Sequence, residues 1–150
     1  MNKRVCLLAA VVVTMSTACS LGSDGDGDQV LGGDRLPVQV ASEVYPETDT
    51  EFTGVVSLND GGCWTIDIGD GQRLAVFPEG FVKDEFGTAM VSADGQVQVT
   101  HGSRLEFIGG PFVADAMPGV PDGFWGNYLA FCNPEIAEFV LIDLIISARD

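Results

Sequence analysis

From Glu51 onward, apolar and polar residues alternate in short runs that end on glycine and aspartate. Phe52, Gly54, Val56 and Leu58 fall on one side of a two-residue period and Thr53, Val55 and Ser57 on the other, which predicts a strand. Asn59-Asp60-Gly61-Gly62 turns the chain into a second strand, Cys63 to Ile68, with Trp64, Ile66 and Ile68 on one face. Gly69-Asp70-Gly71 makes another turn before Arg73 to Phe77, and Pro78-Glu79-Gly80 ends the meander. Gly and Asp tolerate the positive φ that tight turns between twisted strands demand. A smaller hairpin is expected around Ala93-Asp94-Gly95, pairing Ala89–Val91 with Gln96–Val99. Arg104 to Ile108 reads as a strand with Leu105 and Phe107 inward, closed by Gly109-Gly110-Pro111. Tyr128–Cys132 and Glu138–Ile146 supply the last extended segments, the latter with Val140, Ile142, Leu144 and Ile146 on one face and Asp143 opposite. A helix competes for Pro134 to Ile146. The β-branched residues after Val140 favour a strand and leave one helical turn over Pro134–Glu138.

Short strands, hairpin turns and almost no helical periodicity predict an all-β fold: a single small barrel of five to seven strands over residues 51–150. The order is a three-strand meander, a longer insert, then the remaining strands. It resembles an OB-type barrel, which implies that an element between the third and fourth barrel strands plugs one end. The alternative is a β-sandwich. An immunoglobulin-like one fits less well, because the strands are too few and Trp64 adjoins Cys63 instead of lying midway between two cysteines.

The chain before this domain has a different pattern. Lys3 and Arg4 precede an apolar run from Val5 to Val13, followed by Ser16-Thr17-Ala18-Cys19. The run falls short of the roughly 20 apolar residues that a spanning helix needs. These residues resemble the lipobox signal of bacterial lipoprotein precursors. The resemblance implies that residues 1–18 are a signal peptide, that Cys19 carries the lipid, and that the protein sits on the extracytoplasmic face of a membrane. Ser20 to Asp34 is dominated by Gly and Asp and holds too little apolar surface to fold. With Cys19 it forms a flexible tail expected to extend to residue 50, and about 30 such residues reach roughly 30 Å. Asp24, Asp26 and Asp28 suggest a calcium loop. The template fails at Gln29, where a glycine is needed, and at Arg35, where a bidentate Glu belongs.

Charge narrows the partners. The formal charge is −15, and loss of Lys3 and Arg4 with a signal would leave the remainder more acidic still. Such a surface repels phosphate backbones, so no nucleic-acid partner is expected. Expected partners are the membrane, through lipid on Cys19, and an envelope protein or glycan. Of the four cysteines, Cys6 lies in the signal and Cys19 in the lipobox, which leaves Cys63 and Cys132 for a disulfide. If both lie on strands, each faces away from its neighbouring apolar set, so the sulfurs project to the same side of one sheet. The bond would close a loop of roughly 70 residues, worth about 4 kcal/mol by chain entropy.

Candidate chemistry is sparse. The longest stretch without periodicity, Gly109 to Gly126, carries Phe112, Asp122, Phe124 and Trp125, with Tyr128 just beyond. Aromatic faces beside an acid could stack on a flat ligand and hold its hydroxyls, and these five residues are the expected ligand-binding set. The structural alternative is that Phe124 and Trp125 fold back over an open barrel end. In the loop Glu79–Gly87, Phe81 and Phe86 suggest a plug with a charged rim. His101 is the only histidine and, before Gly102, reads as a turn residue. No nucleophile–histidine–acid spacing, metal-ligand motif or phosphate-binding loop occurs, so no catalytic residue, metal or cofactor is expected. The leading expectation is a non-enzymatic binding or interaction module. An accessory envelope hydrolase and a structural envelope protein without a small ligand are the alternatives.

Overall fold

Alternation from Glu51 becomes a closed barrel. The computed structural model describes residues 36–132 and 138–150. Cys19, the expected signal and the Gly/Asp spacer lie outside these residues, as does all of the helical turn expected over Pro134–Glu138 except Glu138, which is extended. The meander is β1 (Glu51–Leu58), β2 (Trp64–Asp67) and β3 (Gln72–Val76); two long strands, β7 (Arg104–Val113) and β8 (Glu138–Arg149), complete the barrel. The strand order is β1-β2-β3-β8-β7, closed by antiparallel pairing of β7 with β1; β3 and β8 run parallel. Closure leaves no open sheet edge, and the order is that of the OB-type barrel the sequence suggested.

Between β3 and β7 lies a small antiparallel sheet of β4 (Val82–Lys83), β5 (Ala89–Val91) and β6 (Gln98–Thr100). Phe81, Met90 and Val99 from this insert join Val56, Trp64, Ile66, Phe77, Leu105, Phe107, Val140 and Ile142 in the interior. The insert is therefore the expected plug. Phe81 does the filling, stacked on Phe77 at 5.8 Å, while Phe86 is 77% exposed at the loop tip.

Three expectations need correction. First, β8 does not keep one apolar face. Its register against β7 shifts twice, between Glu106 and Phe107 and between Ile108 and Gly109. Each shift inserts an extra residue into β8 and reverses its parity, so Ile145 and Ala148 pack on the interior while Leu144 and Ile146 are about half exposed. Second, Gly109-Gly110-Pro111 does not end its strand; β7 runs on to Val113. Gly109 is what permits this, because a Cβ there would sit 2.0 Å from the Leu141 carbonyl oxygen. Third, Tyr128–Cys132 is not extended. It is the second half of helix α1 (Phe124–Cys132), and Trp125, Tyr128, Leu129 and Cys132 recur at helical spacing on its packed side.

The expected tail is also shorter at its C-terminal end. From Leu36 the chain is already laid against the barrel. Val38 bridges to Phe77, the Phe77 amide donates to the Pro37 carbonyl, and the Gln39 amide donates to the Phe77 carbonyl. Apolar Leu36 and Val38 pack on the interior cluster, which offsets the cost of ordering a segment otherwise rich in loop formers.

Candidate functional site

Helix α1 covers the outside of the barrel, not its end. Leu74 and Val76 point outward from β3, Phe139 and Leu141 outward from β8, and Trp125 and Met117 seal them into a second apolar cluster. The residues expected to bind a ligand divide on this layer. Trp125 is fully buried, edge-on to Phe139 at 5.7 Å and to Tyr45 at 6.1 Å, and has no face left for a ligand in this conformation. Phe112, Phe124 and Tyr128 are half-buried against the same cluster, and Phe124 stacks on Tyr128 at 5.7 Å. Asp122 is exposed in the turn before the helix. Four of the five are thus brought together, as packing for α1.

Polar groups fix this layer at both ends. The Glu43 carboxylate accepts hydrogen bonds from Trp125 Nε1 at 3.2 Å and from the Tyr45 hydroxyl, joining the N-terminal strap (residues 36–50) to the helix. Burial, reinforced by the bond to Glu43, pushes the Tyr45 phenol up to about 12. The Tyr128 hydroxyl accepts from the Trp64 amide at 3.3 Å, and burial raises its phenol to about 12 as well. At the helix C-terminus, Cys132 is bonded to Cys63, with Cα atoms 5.7 Å apart across 69 residues of sequence. The expected pair exists, although Cys63 precedes β2 and Cys132 ends a helix. Sheet parity was the wrong route to it. A disulfide of this kind points to an oxidising, extracytoplasmic compartment. No helix among the described residues is long and apolar enough to cross a membrane.

Where the disulfide meets the barrel there is a cavity of about 290 Å³. Ser57, Thr65 and Leu74 line it as one cross-strand row, since Ser57 pairs with Thr65 and Thr65 with Leu74. Gln72, Asn59 and His101 stand around the row, and Cys132 closes one wall. These polar groups are largely uncommitted. Among the described residues, the Ser57 hydroxyl, the Gln72 amide and His101 Nε2 hydrogen-bond to no protein group, and Thr65 Oγ1 makes only a long 3.5 Å bond to the Ser57 carbonyl. Asn59 spends its Oδ1 on the Cys63 amide at 2.9 Å and keeps its NH₂ free. His101 Nδ1 accepts the Leu58 amide at 3.1 Å, so the ring proton of the neutral imidazole sits on Nε2.

A larger, more open cleft of about 650 Å³ lies beside the strap, lined by Gln39, Tyr45, Glu47, Thr48, Asp49 and Asp143. Several of its polar groups are spent on structure, though among the described residues Glu47 and Asp49 are not. Gln39 Nε2 donates to the Ile142 carbonyl and to Asp143, and Thr48 donates to the Gly109 carbonyl. The smaller cavity is the better candidate, because it is the more enclosed of the two and neutral donors and acceptors from several strands and turns converge on it. Among the described residues, no three His, Cys, Asp or Glu side chains are placed to hold a metal ion. Sequence reasoning found His101 as a turn residue but missed Ser57, Thr65 and Gln72. Ser57 falls on the polar face of its expected strand; register sets Thr65 beside it, and Gln72 lies on β3 two residues before Thr65's partner Leu74.

Compared with known proteins, the chain matches no family model, no curated protein and no solved structure.

Proposed function

We propose that this protein is a non-catalytic binding module tethered to the extracytoplasmic face of a membrane through lipid on Cys19, and that the cavity beside the disulfide receives an envelope component. The observation that carries the reading is the set of unengaged hydrogen-bonding groups on Ser57, Asn59, Gln72 and His101 around one cavity. A few polar groups converging on a concave site are what fix a ligand's orientation; here Asn59, Gln72 and His101 stand exposed at the cavity and Ser57 is half-buried in it. His101 supports binding rather than proton transfer. Its Nδ1 is committed to a backbone amide, and no nucleophile or carboxylate among the described residues hydrogen-bonds to its ring.

The lipobox-like Ser16-Thr17-Ala18-Cys19 supports the tether, and the disulfide supports the compartment. Two experiments test the proposal. Labelling cells with a fatty acid should mark the protein and leave Cys19→Ala unlabelled; label retained in that variant contradicts the anchor. A photoreactive amino acid placed at Gln72 should give one defined adduct on intact cells, and the same group at Glu85, in the exposed loop between β4 and β5 and not on the cavity lining, should not. No adduct at position 72, or equal adducts at both, contradicts the site.

A further inference from the structure

We infer that the cavity receives one neutral sugar ring of a glycan; this rests on the reading of the cavity as a ligand site and names its ligand class. The first argument is charge. On a chain of formal charge −15, the cavity lining holds no Asp, Glu, Lys or Arg. A cationic ligand finds no carboxylate there to pair with. An anionic one finds only neutral donors and must approach through the repulsive field of the surrounding surface.

The second argument is donor and acceptor pattern. His101 presents Nε2–H and Asn59 presents its NH₂, both fixed as donors because the other polar atom of each is bonded to backbone. The Ser57 hydroxyl and the Gln72 amide both donate and accept. Fixed donors beside two-way groups suit a ligand whose own polar groups are two-way, which is the character of sugar hydroxyls. Leu58 and Cys132, both half-buried on the cavity lining, supply an apolar surface against which the C–H face of a ring can rest. The volume of about 290 Å³ is at the small end of ligand pockets, enough for one ring and not for an extended chain.

Amide chemical shifts of isotope-labelled full-length mature protein test this directly, using maltose, N,N′-diacetylchitobiose, a hexuronic disaccharide of the same length and inorganic phosphate as separate probes. The expected result is saturable shifts at Thr65, Gln72 and His101 with at least one neutral disaccharide and none with the uronic sugar or phosphate. Gln72→Leu and His101→Phe each replace an exposed side chain and should weaken binding about ten-fold, the worth of one lost hydrogen bond. Should His101→Phe fail to fold, Ser57→Ala replaces it in the comparison. Equal or stronger binding of the uronic sugar or phosphate overturns the inference, as does silence from both neutral disaccharides. Titration with phenol and N-methylacetamide then separates the two levels. Shifts at the same three amides keep the cavity as a site for another ligand class, and their absence removes the binding reading too.

Discussion

The two tryptophans mark two regions that are equally buried and held together differently. Trp64 lies in the barrel interior, edge-on to Phe77 at 5.7 Å, among side chains contributed by strands on every side. Trp125 lies under α1, in a cluster assembled from one outward sheet face, one short helix and the strap. The interior Trp64 leaves its Nε1 without a partner, whereas Trp125 donates to Glu43. A closed barrel needs no added tie, because its ladder of hydrogen bonds fixes every strand. A nine-residue helix is too short to persist alone and has to be fastened. Here the fastenings are a disulfide, the hydrogen bond from Trp125 to Glu43 and the one from the Trp64 amide to the Tyr128 hydroxyl. The candidate ligand cavity lies on the seam between the regions, with barrel strands as its floor and Cys132 as its wall.

The sharpest way to break this comparison is to empty each cluster in turn. Phe107→Ala should cost about 3–5 kcal/mol and lower every unfolding signal together, because the interior belongs to all the barrel strands. Trp125→Ala removes a comparable side chain and should cost a similar amount, about 3–5 kcal/mol. Its loss should fall first on α1, with the fluorescence of the remaining Trp64 following the later barrel transition. Coincident transitions in Trp125→Ala, followed by denaturant titration with helical and fluorescence signals, would show that the layers are one unit. Glu43→Gln is milder. It weakens a charge-assisted acceptor shared by Trp125 and Tyr45 and should cost about 1–3 kcal/mol. The cost should shrink in the Trp125→Phe, Tyr45→Phe background, which a double-mutant cycle measures.

Alkaline pH should separate the regions most gently. Both tyrosines of the chain, Tyr45 and Tyr128, belong to the outer layer, and both have phenols raised to about 12 from an ordinary 10. A folded pKa above the unfolded one means stability that is whole below pH 10 and lost as pH rises through about 12. The α1 layer should therefore loosen in that window while the barrel persists. Phenolate absorbance against pH reads it, and Tyr128→Phe should shrink the effect.

The same contrast explains what the sequence revealed. Strands β1, β2 and β3 were legible because each buries one face against a common interior, so alternation and turn chemistry agree. Helix α1 was missed although Trp125, Tyr128, Leu129 and Cys132 stand at positions i, i+3, i+4 and i+7. Gly126 and the aromatic composition masked that spacing. Gly126 is present because a Cβ would meet the Pro121 carbonyl oxygen at 1.8 Å, a packing reason invisible in propensity. The parity of Leu144 and Ile146 failed for a similar reason, since a β-bulge is a property of pairing and leaves no mark on one strand. The cavity was hidden for longer. Register sets Ser57 beside Thr65, and Gln72 joins them from β3, two residues before Thr65's partner Leu74.

The central claim is that the barrel holds itself while α1, and with it one wall of the cavity, is held on. Hydrogen exchange on the oxidised protein and on the protein reduced by a dithiol tests this most directly. Removing a bond that closes 69 residues forfeits at most about 4 kcal/mol of loop entropy. Reduction should speed exchange across Phe124–Cys132 and leave β1, β2, β3, β7 and β8 protected, with the amides around Gln72 intermediate. Uniform loss of protection over barrel and helix alike, or no change at α1, would contradict the account.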